Sequence, residues 1–463
     1  MDKNTKNVYE LGNAKITSLL WKYFLPAFTG VIINSLYNIV DRIFIGQGVG
    51  AKALSGLSAV YPIMLILMAF GMLIGIGAGV RISINMGMKN FARAEKVLGN
   101  SFILMLIVSV IISIIGFSIK DPLLHLFGVE SDTMAFANEY LNIILFGAVF
   151  NVIGFAMNNM IRSEGNAKIA MYSMLISAGT NIILDPIFIF WFDMGVAGAA
   201  WATIISQFIL CVWVIRHFRS SHAIIKLRKV NFKLNGEIIL YIITIGFAPF
   251  SMQIAGSFVQ GLYNIQLVKY STDIAIAAMG IINSVAMLIV MSIVAINMAA
   301  QPIYGFNYGA ENYKRIKDTL IICIKAATGI SIAGWLLVQF CPELIILAFN
   351  NSSDELLKVG TKGLKIFLLA LPIVGFQVIV GNYFQSISKA GISILLTLMR
   401  QVILLIPILF ILPTYWGLTG VWFAGPIADV GSAMVAGFFI IRELKILDTK
   451  SLNIQTKSKH SEI

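Results

Sequence analysis

The chain has 463 residues, 58% hydrophobic and only 12% charged, with a formal charge of +12. Soluble domains carry roughly 25% charged residues, so a soluble fold is excluded and a polytopic membrane protein is indicated. Its apolar runs far exceed the roughly ten alternating residues of a barrel strand, so the fold class is all-α, and the basic excess lies in alternate loops, which gives no reason to expect a nucleic-acid partner.

Apolar runs bounded by Gly, Pro and charged breaks predict about twelve spans. Their approximate limits are 19–46, 53–85, 97–119, 134–160, 168–192, 195–217, 238–268, 274–306, 319–341, 355–385, 391–413 and 416–441. The first run, Leu19 to Ile45, is too long for a signal-peptide core and has no small-residue cleavage site, so it is an uncleaved span. It carries Asn34, Tyr37 and Asn38 at i−7, i−4 and i−3 from Asp41, a polar stripe on one helical face. Such a stripe marks a face turned to a cavity; the competing reading pairs Asp41 with Arg42 at the interface.

Span five contains Gly179-Thr180-Asn181-Ile182-Ile183-Leu184-Asp185-Pro186-Ile187-Phe188-Ile189-Phe190. An ionised Asp near the hydrocarbon core costs several kcal/mol and is kept only where protein or water solvates it. Asn181 lies one helical turn before Asp185 on the same face. Pro186 withholds an amide from the carbonyl of Ile182 and kinks the helix. A carboxylate, an amide and a freed carbonyl suit a small hard cation or a proton on Asp185; the bland reading is a buried Asp capping a kink.

In the second half, Met252, Gln260, Met287, Met291 and Tyr383 are assigned, with Tyr37 and Asn38, to the wall of a substrate cavity. Methionine repacks cheaply around flat ligands of varied shape, although most of the 20 methionines read as lipid-facing filler. Arg400 in span eleven and Asp429 in span twelve are read as a structural ion pair fixing the second bundle, and Lys325 as snorkelling to the interface.

Lys and Arg concentrate before span one (Lys3, Lys6, Lys15), after spans two, four, six, eight and ten, and after span twelve. By the positive-inside rule both termini and the basic 218–236 stretch are cytoplasmic; the loop around Lys358, Lys362 and Lys365 is an exception. Cys211, Cys323 and Cys341 have no metal-type spacing, so no disulfide framework or zinc site is expected.

Asn85-Met86-Gly87-Met88-Lys89-Asn90-Phe91-Ala92-Arg93 repeats as Asn307-Tyr308-Gly309-Ala310-Glu311-Asn312-Tyr313-Lys314-Arg315 at an offset of 222. Gly195-Val196-Ala197-Gly198 and Gly417-Leu418-Thr419-Gly420 recur at the same offset, and Pro26/Pro249 within one residue of it. Two homologous six-helix halves follow, running the same way and related by a pseudo-two-fold axis along the membrane normal. The expected organisation is an N-terminal bundle at 1–217, a cytoplasmic linker at 218–236, a C-terminal bundle at 237–445 and a polar tail at 446–463.

These motifs together, with Leu25-Pro26 and Asn181-Ile-Ile-Leu-Asp185-Pro186, resemble the multidrug and toxic compound extrusion (MATE) transporters over about residues 15–445. The resemblance implies an inner-membrane antiporter expelling cationic or amphipathic compounds in exchange for Na+ or H+. It also implies a cation-coupling cluster at Asp41, Asn181, Asp185 and Thr203, where Na+ is the possible metal. Helix rise places Asp41, Asp185 and Thr203 at a common depth of roughly 7–12 Å below the outer surface. The C-terminal counterparts of both carboxylates are missing, which departs from branches of the family with acids in spans seven and ten. No cofactor beyond the coupling ion is expected, and the chain is expected to function as a monomer. Absence of a P-loop argues against built-in ATP hydrolysis. The four histidines lie near loops or the tail, and no nucleophile elbow or His-Glu-x-x-His occurs, so an enzyme is not expected. The rival reading is a flippase for lipid-linked oligosaccharides, whose charged substrate calls for several cavity cations where the spans offer only Arg400.

Overall fold

A computed structural model describes residues 9–126, 129, 131–270, 273–349 and 354–461. Lys3 and Lys6, and the last two residues of the tail, lie outside the described residues. Among those described there is no strand, in keeping with a bilayer's demand that every backbone amide find its partner within the segment.

The first six spans are α1 (Ile16–Gly48), α2 (Ala51–Gly87), α3 (Phe91–Leu126), α4 with α5 (Ser131–Phe146, Ala148–Ser163), α6 (Ala167–Pro186) and α7 (Gly195–Arg219). The second six are α8 (Gly236–Tyr270), α9 (Asp273–Gly309), α10 (Tyr313–Phe340), α12 with α13 (Asp354–Phe367, Leu371–Ser386), and two more that α14 (Ala390–Leu398) and α15 (Leu405–Ser461) supply between them; the short α11 (Pro342–Phe349) lies between α10 and α12. Spans four and ten are each bent, by 57° and 46°. The long run 390–454 becomes two spans at Gly417, whose φ of 55° and ψ of −136° interrupt the helix. α15 continues helically into the polar tail as far as Ser461. Pro26 lies inside an unbroken α1, whereas Pro186 ends α6 and is followed by a π-helical turn, Ile187–Trp191.

Backbone geometry repeats with the sequence. Lys89 and Glu311 both take left-handed φ, 59° and 56°, and Gly195 and Gly417 take 56° and 55°. The loop motif has a physical job at both sites. Asn90 Oδ1 accepts from the Arg93 amide (3.0 Å) and Asn312 Oδ1 from the Arg315 amide (3.3 Å), so each Asn caps the following helix.

The chain divides into two compact units, Met1–Ala14 with Trp21–Gln253, and Lys15–Leu20 with Ile254–Ile463. In the first, Ile45, Tyr140, Ile144, Ile189, Val196 and Ile204 belong to one apolar core. In the second, Tyr263, Leu267, Ile282, Leu364, Leu409 and Trp422 do the same.

The first half of α8 belongs to the first unit because it crosses α2 at backbone contact. A Cβ on Gly246 would stand 1.7 Å from the Leu73 carbonyl oxygen, and one on Gly77 2.1 Å from that of Ile242. Phe70 meets Phe250 edge to face at 5.0 Å, and the Arg81 guanidinium lies 4.1 Å from the Tyr241 ring centre. Small residues are what let helices approach this closely within a membrane. Gly246→Ala should therefore destabilise by at least the roughly 1–3 kcal/mol of an overpacked core, read as a lower melting temperature in detergent. Gly256→Ala, at a position with nothing within 4 Å, should leave melting unchanged or raise it.

Candidate cation site

Asp185 occupies the last turn of α6 and is fully buried. The turn below it supplies Asn181, whose Nδ2 donates to Asp185 Oδ1 at 3.2 Å and reaches Thr203 Oγ1 of α7 at 3.5 Å. From α1, Asp41 brings its carboxyl within hydrogen-bonding reach of Asp185. Tyr37, one turn earlier on α1, lies within electrostatic range of both carboxyls. The structure thus assembles Asp41, Asn181, Asp185 and Thr203 within the first unit.

Close packing of three helix ends makes this possible. A Cβ on Gly48 of α1 would sit 2.4 Å from Ile189 Cγ2 in the π turn, and one on Gly198 of α7 would sit 3.0 Å from the Phe188 carbonyl. The π turn after Pro186 directs Ile189 into the core. Such turns recur at functional sites.

The oxygens are left over. Asp41 Oδ1, Asn181 Oδ1 and Asp185 Oδ2 are buried without a hydrogen-bond partner. An unsatisfied buried polar group costs about 1–3 kcal/mol, more when charged, and two facing carboxylates repel as well. Hard oxygen donors of this kind fit Na+ or a shared proton and offer nothing to a soft metal. No group of three or more His, Cys, Asp or Glu that could hold a metal occurs among the described residues.

One contributor escaped the sequence reading. Tyr140 of α4 is buried, with its hydroxyl within hydrogen-bonding reach of Thr203 and its ring electrostatically close to Asp41 and Asp185. Its only sequence signal is a polar setting, Asn138-Glu139-Tyr140, in the first turns of span four.

The cavity residues fare differently. Tyr37 and Asn38 are partly exposed, with Asn38 Nδ2 donating to the Asn34 carbonyl at 2.6 Å. Met252 and Gln260 are exposed on α8, Met252 in the first unit and Gln260 in the second; Met287 is exposed and Met291 half-buried on α9. Tyr383 must be corrected. It is fully buried, donates to Glu443 Oε1 at 3.2 Å and meets the Tyr304 ring at 89°. It therefore faces the interior of the second unit, where it shares Glu443 with Lys389.

Arg400 and Asp429 are joined through Nε and Oδ1, Arg400 standing on a π turn, Met399–Leu404. The buried Tyr263 hydroxyl is within electrostatic range of both.

The MatE family profile matches residues 26–187 and 240–411. The multidrug export protein MepA of Staphylococcus aureus (strain MRSA252) is 26% identical over 449 residues, covering 96% of this chain and 99% of MepA. MepA of Staphylococcus haemolyticus (strain JCSC1435) is 27% identical over the same length, covering 96% of this chain and 98% of that protein. Among solved structures, the MATE multidrug transporter DinF-BH is 36% identical with a TM-score of 0.86, covering 92% of this chain and 95% of that one.

A cation held by this cluster stabilises the folded protein by mass action, about 2.7 kcal/mol at a hundredfold excess over its Kd. Purified wild type should melt at a higher temperature in sodium than in choline chloride, or as pH falls if the ligand is a proton. Asn181→Ala should shrink that shift and Asp185→Asn should abolish it; an unchanged shift in Asp185→Asn would place the ion elsewhere.

Proposed function

The chain belongs to the MatE family, and from that premise we propose that it expels cationic or amphipathic compounds in exchange for Na+ or H+ taken up by Asp41, Asn181, Asp185 and Thr203. As a family member it is a multidrug efflux transporter in the membrane. The observation that carries the coupling assignment is the facing carboxyl pair with three buried oxygens lacking partners.

The exchange follows from charge. With the cluster empty, two carboxylates repel across α1 and α6, and a state that separates or hydrates them is favoured. A cation or proton removes the repulsion and favours the packed state described above. If substrate binds the other state better, ion and substrate exclude one another, and reciprocal coupling makes the chain an exchanger. Asp41 lies 15 residues beyond Pro26 on α1, about 22 Å along the helix. A flexure at Pro26 would carry the carboxyl with it. The cluster is complete within one chain, which supports action as a monomer. Loop charge supports a cytoplasmic membrane with both termini inside.

The flippase alternative gains nothing. Its one candidate cation, Arg400, is already engaged by Asp429.

Proteoliposomes given an inward Na+ gradient or, separately, an inward proton gradient should extrude a cationic dye with one of the two, and Asp185→Asn should lose extrusion while inserting normally. Extrusion with neither gradient from correctly inserted wild type would sink this reading and bring lipid-linked substrates forward.

A further inference from the structure

The linker is bound along its length to the first unit. Glu164, fully buried, accepts from the Ile224 and Ile225 amides (3.2 and 3.4 Å) and from Asn166 Nδ2 (2.7 Å), and it pairs with His217. Ala223, Ile225 and Leu227 turn inward while Lys226 and Arg228 turn out. Glu95 of α3 holds the Lys226 amide and the Arg228 guanidinium, each at 3.1 Å.

The next residues, the 3-10 turn Lys229–Phe232, lie against α3. Asn100 Nδ2 donates to the Asn231 carbonyl at 3.3 Å, and Asn100 Oδ1 accepts from the Asn235 amide at 2.7 Å. Phe232 stacks on Phe102 at 5.6 Å, and a Cβ on Gly99 would meet the Asn231 oxygen at 2.5 Å. Gly99 to Phe102 stand about 12–17 Å along α3 from its start at Phe91, just past its last early charge, Lys96. That is where the apolar band of span three begins.

A purely aqueous tether would not place bare apolar side chains there. Val230 is 77% exposed and Leu234 46%, and they alternate with exposed Lys229 and Lys233, which have no carboxylate partner among the described residues. Lys96, one turn before Asn100 on α3, is exposed as well. Apolar tips among lysines at the edge of an apolar band are the pattern of a segment resting in a bilayer interface.

We propose that the turn Lys229–Phe232 with Leu234 is a docking surface for anionic phospholipid headgroups, Val230 and Leu234 seated among the acyl chains and Lys96, Lys229 and Lys233 on lipid phosphates. Because Glu164, Glu95 and Asn100 fix the linker to the first unit, bound lipid holds that unit at a set depth. The proposal needs only that the chain spans a membrane, not that it is an antiporter.

A nitroxide attached at Val230→Cys, in a Cys341→Ser background that removes the exposed native thiol, tests it by power saturation with oxygen against a water-soluble nickel chelate. In phosphatidylcholine vesicles containing phosphatidylglycerol the label should be oxygen-accessible, at the depth of the headgroup boundary. Lys229→Gln with Lys233→Gln should return it towards water, each lysine contributing roughly a fivefold preference. A nickel-accessible label in these vesicles, equal depth in phosphatidylcholine alone, or no response to loss of both lysines would each overturn the proposal. None of these readouts depends on transport, so a failed dye-extrusion assay would leave the result standing.

Discussion

Where α1, α6 and α7 meet in the first unit, everything answers to one constraint, the burial of two carboxyl groups facing each other with too few donors. Three acceptor atoms in that site have no partner, and each such atom costs about 1–3 kcal/mol unless something satisfies it. The surrounding backbone maintains that shortage. Pro186 denies one more amide to the region, the π turn after it brings Ile189 inward, and Gly48 and Gly198 let the helices close on that turn. A core that fitted its own polar groups would not leave two carboxyl oxygens and an amide oxygen without donors.

The two repeats share a scaffold and differ in chemistry. Left-handed residues recur at the matching positions Lys89 and Glu311, and Gly195 and Gly417. The caps on Asn90 and Asn312 recur with them. Yet the buried acidic groups of the second unit are already matched, Asp429 by Arg400 and Glu443 by Lys389 and Tyr383. A buried ion pair contributes little net stability but is costly to break from one side. The buried acids of the second unit are thereby paired, whereas Asp41 and Asp185 of the first face each other with no ion pair among the described residues.

Local periodicity made much of this legible. Asn181 and Asp185 are one turn apart on any helix, and the loop repeat is visible because an N-cap requires the same Asn at both sites. What escaped depended on distant partners. Tyr140 reaches Thr203 only because α4 packs on α7, and Tyr383 was placed in a cavity because helical position cannot reveal a buried Glu443 sixty residues further on. The bends in spans four and ten escaped too, the latter falling at Leu368 to Ala370 with neither Gly nor Pro at the break. The linker's composition shows only that it is polar and basic; its attachment depends on Glu164, Glu95 and Asn100, none of which belongs to it.

The first helix of each repeat belongs to both units. The boundary crosses α1 between Leu20 and Trp21, six residues before Pro26, and crosses α8 between Gln253 and Ile254, five residues after Pro249. On one side α8 is pinned to α2 through Gly246; on the other Val259, Tyr263 and Leu267 are set in the second core. Between these anchors lie the missing amide of Pro249 and Gly256, which nothing approaches within 4 Å. A proline lowers the resistance of a helix to bending, and an uncrowded glycine leaves room for it. The equivalent stretch of α1 leads, fifteen residues after its own proline, to Asp41. Both helices have the lowered resistance to bending that a proline brings, but they differ in room for it: Gly256 of α8 is open, whereas a Cβ on Gly30 of α1 would stand 2.9 Å from Met174 Sδ.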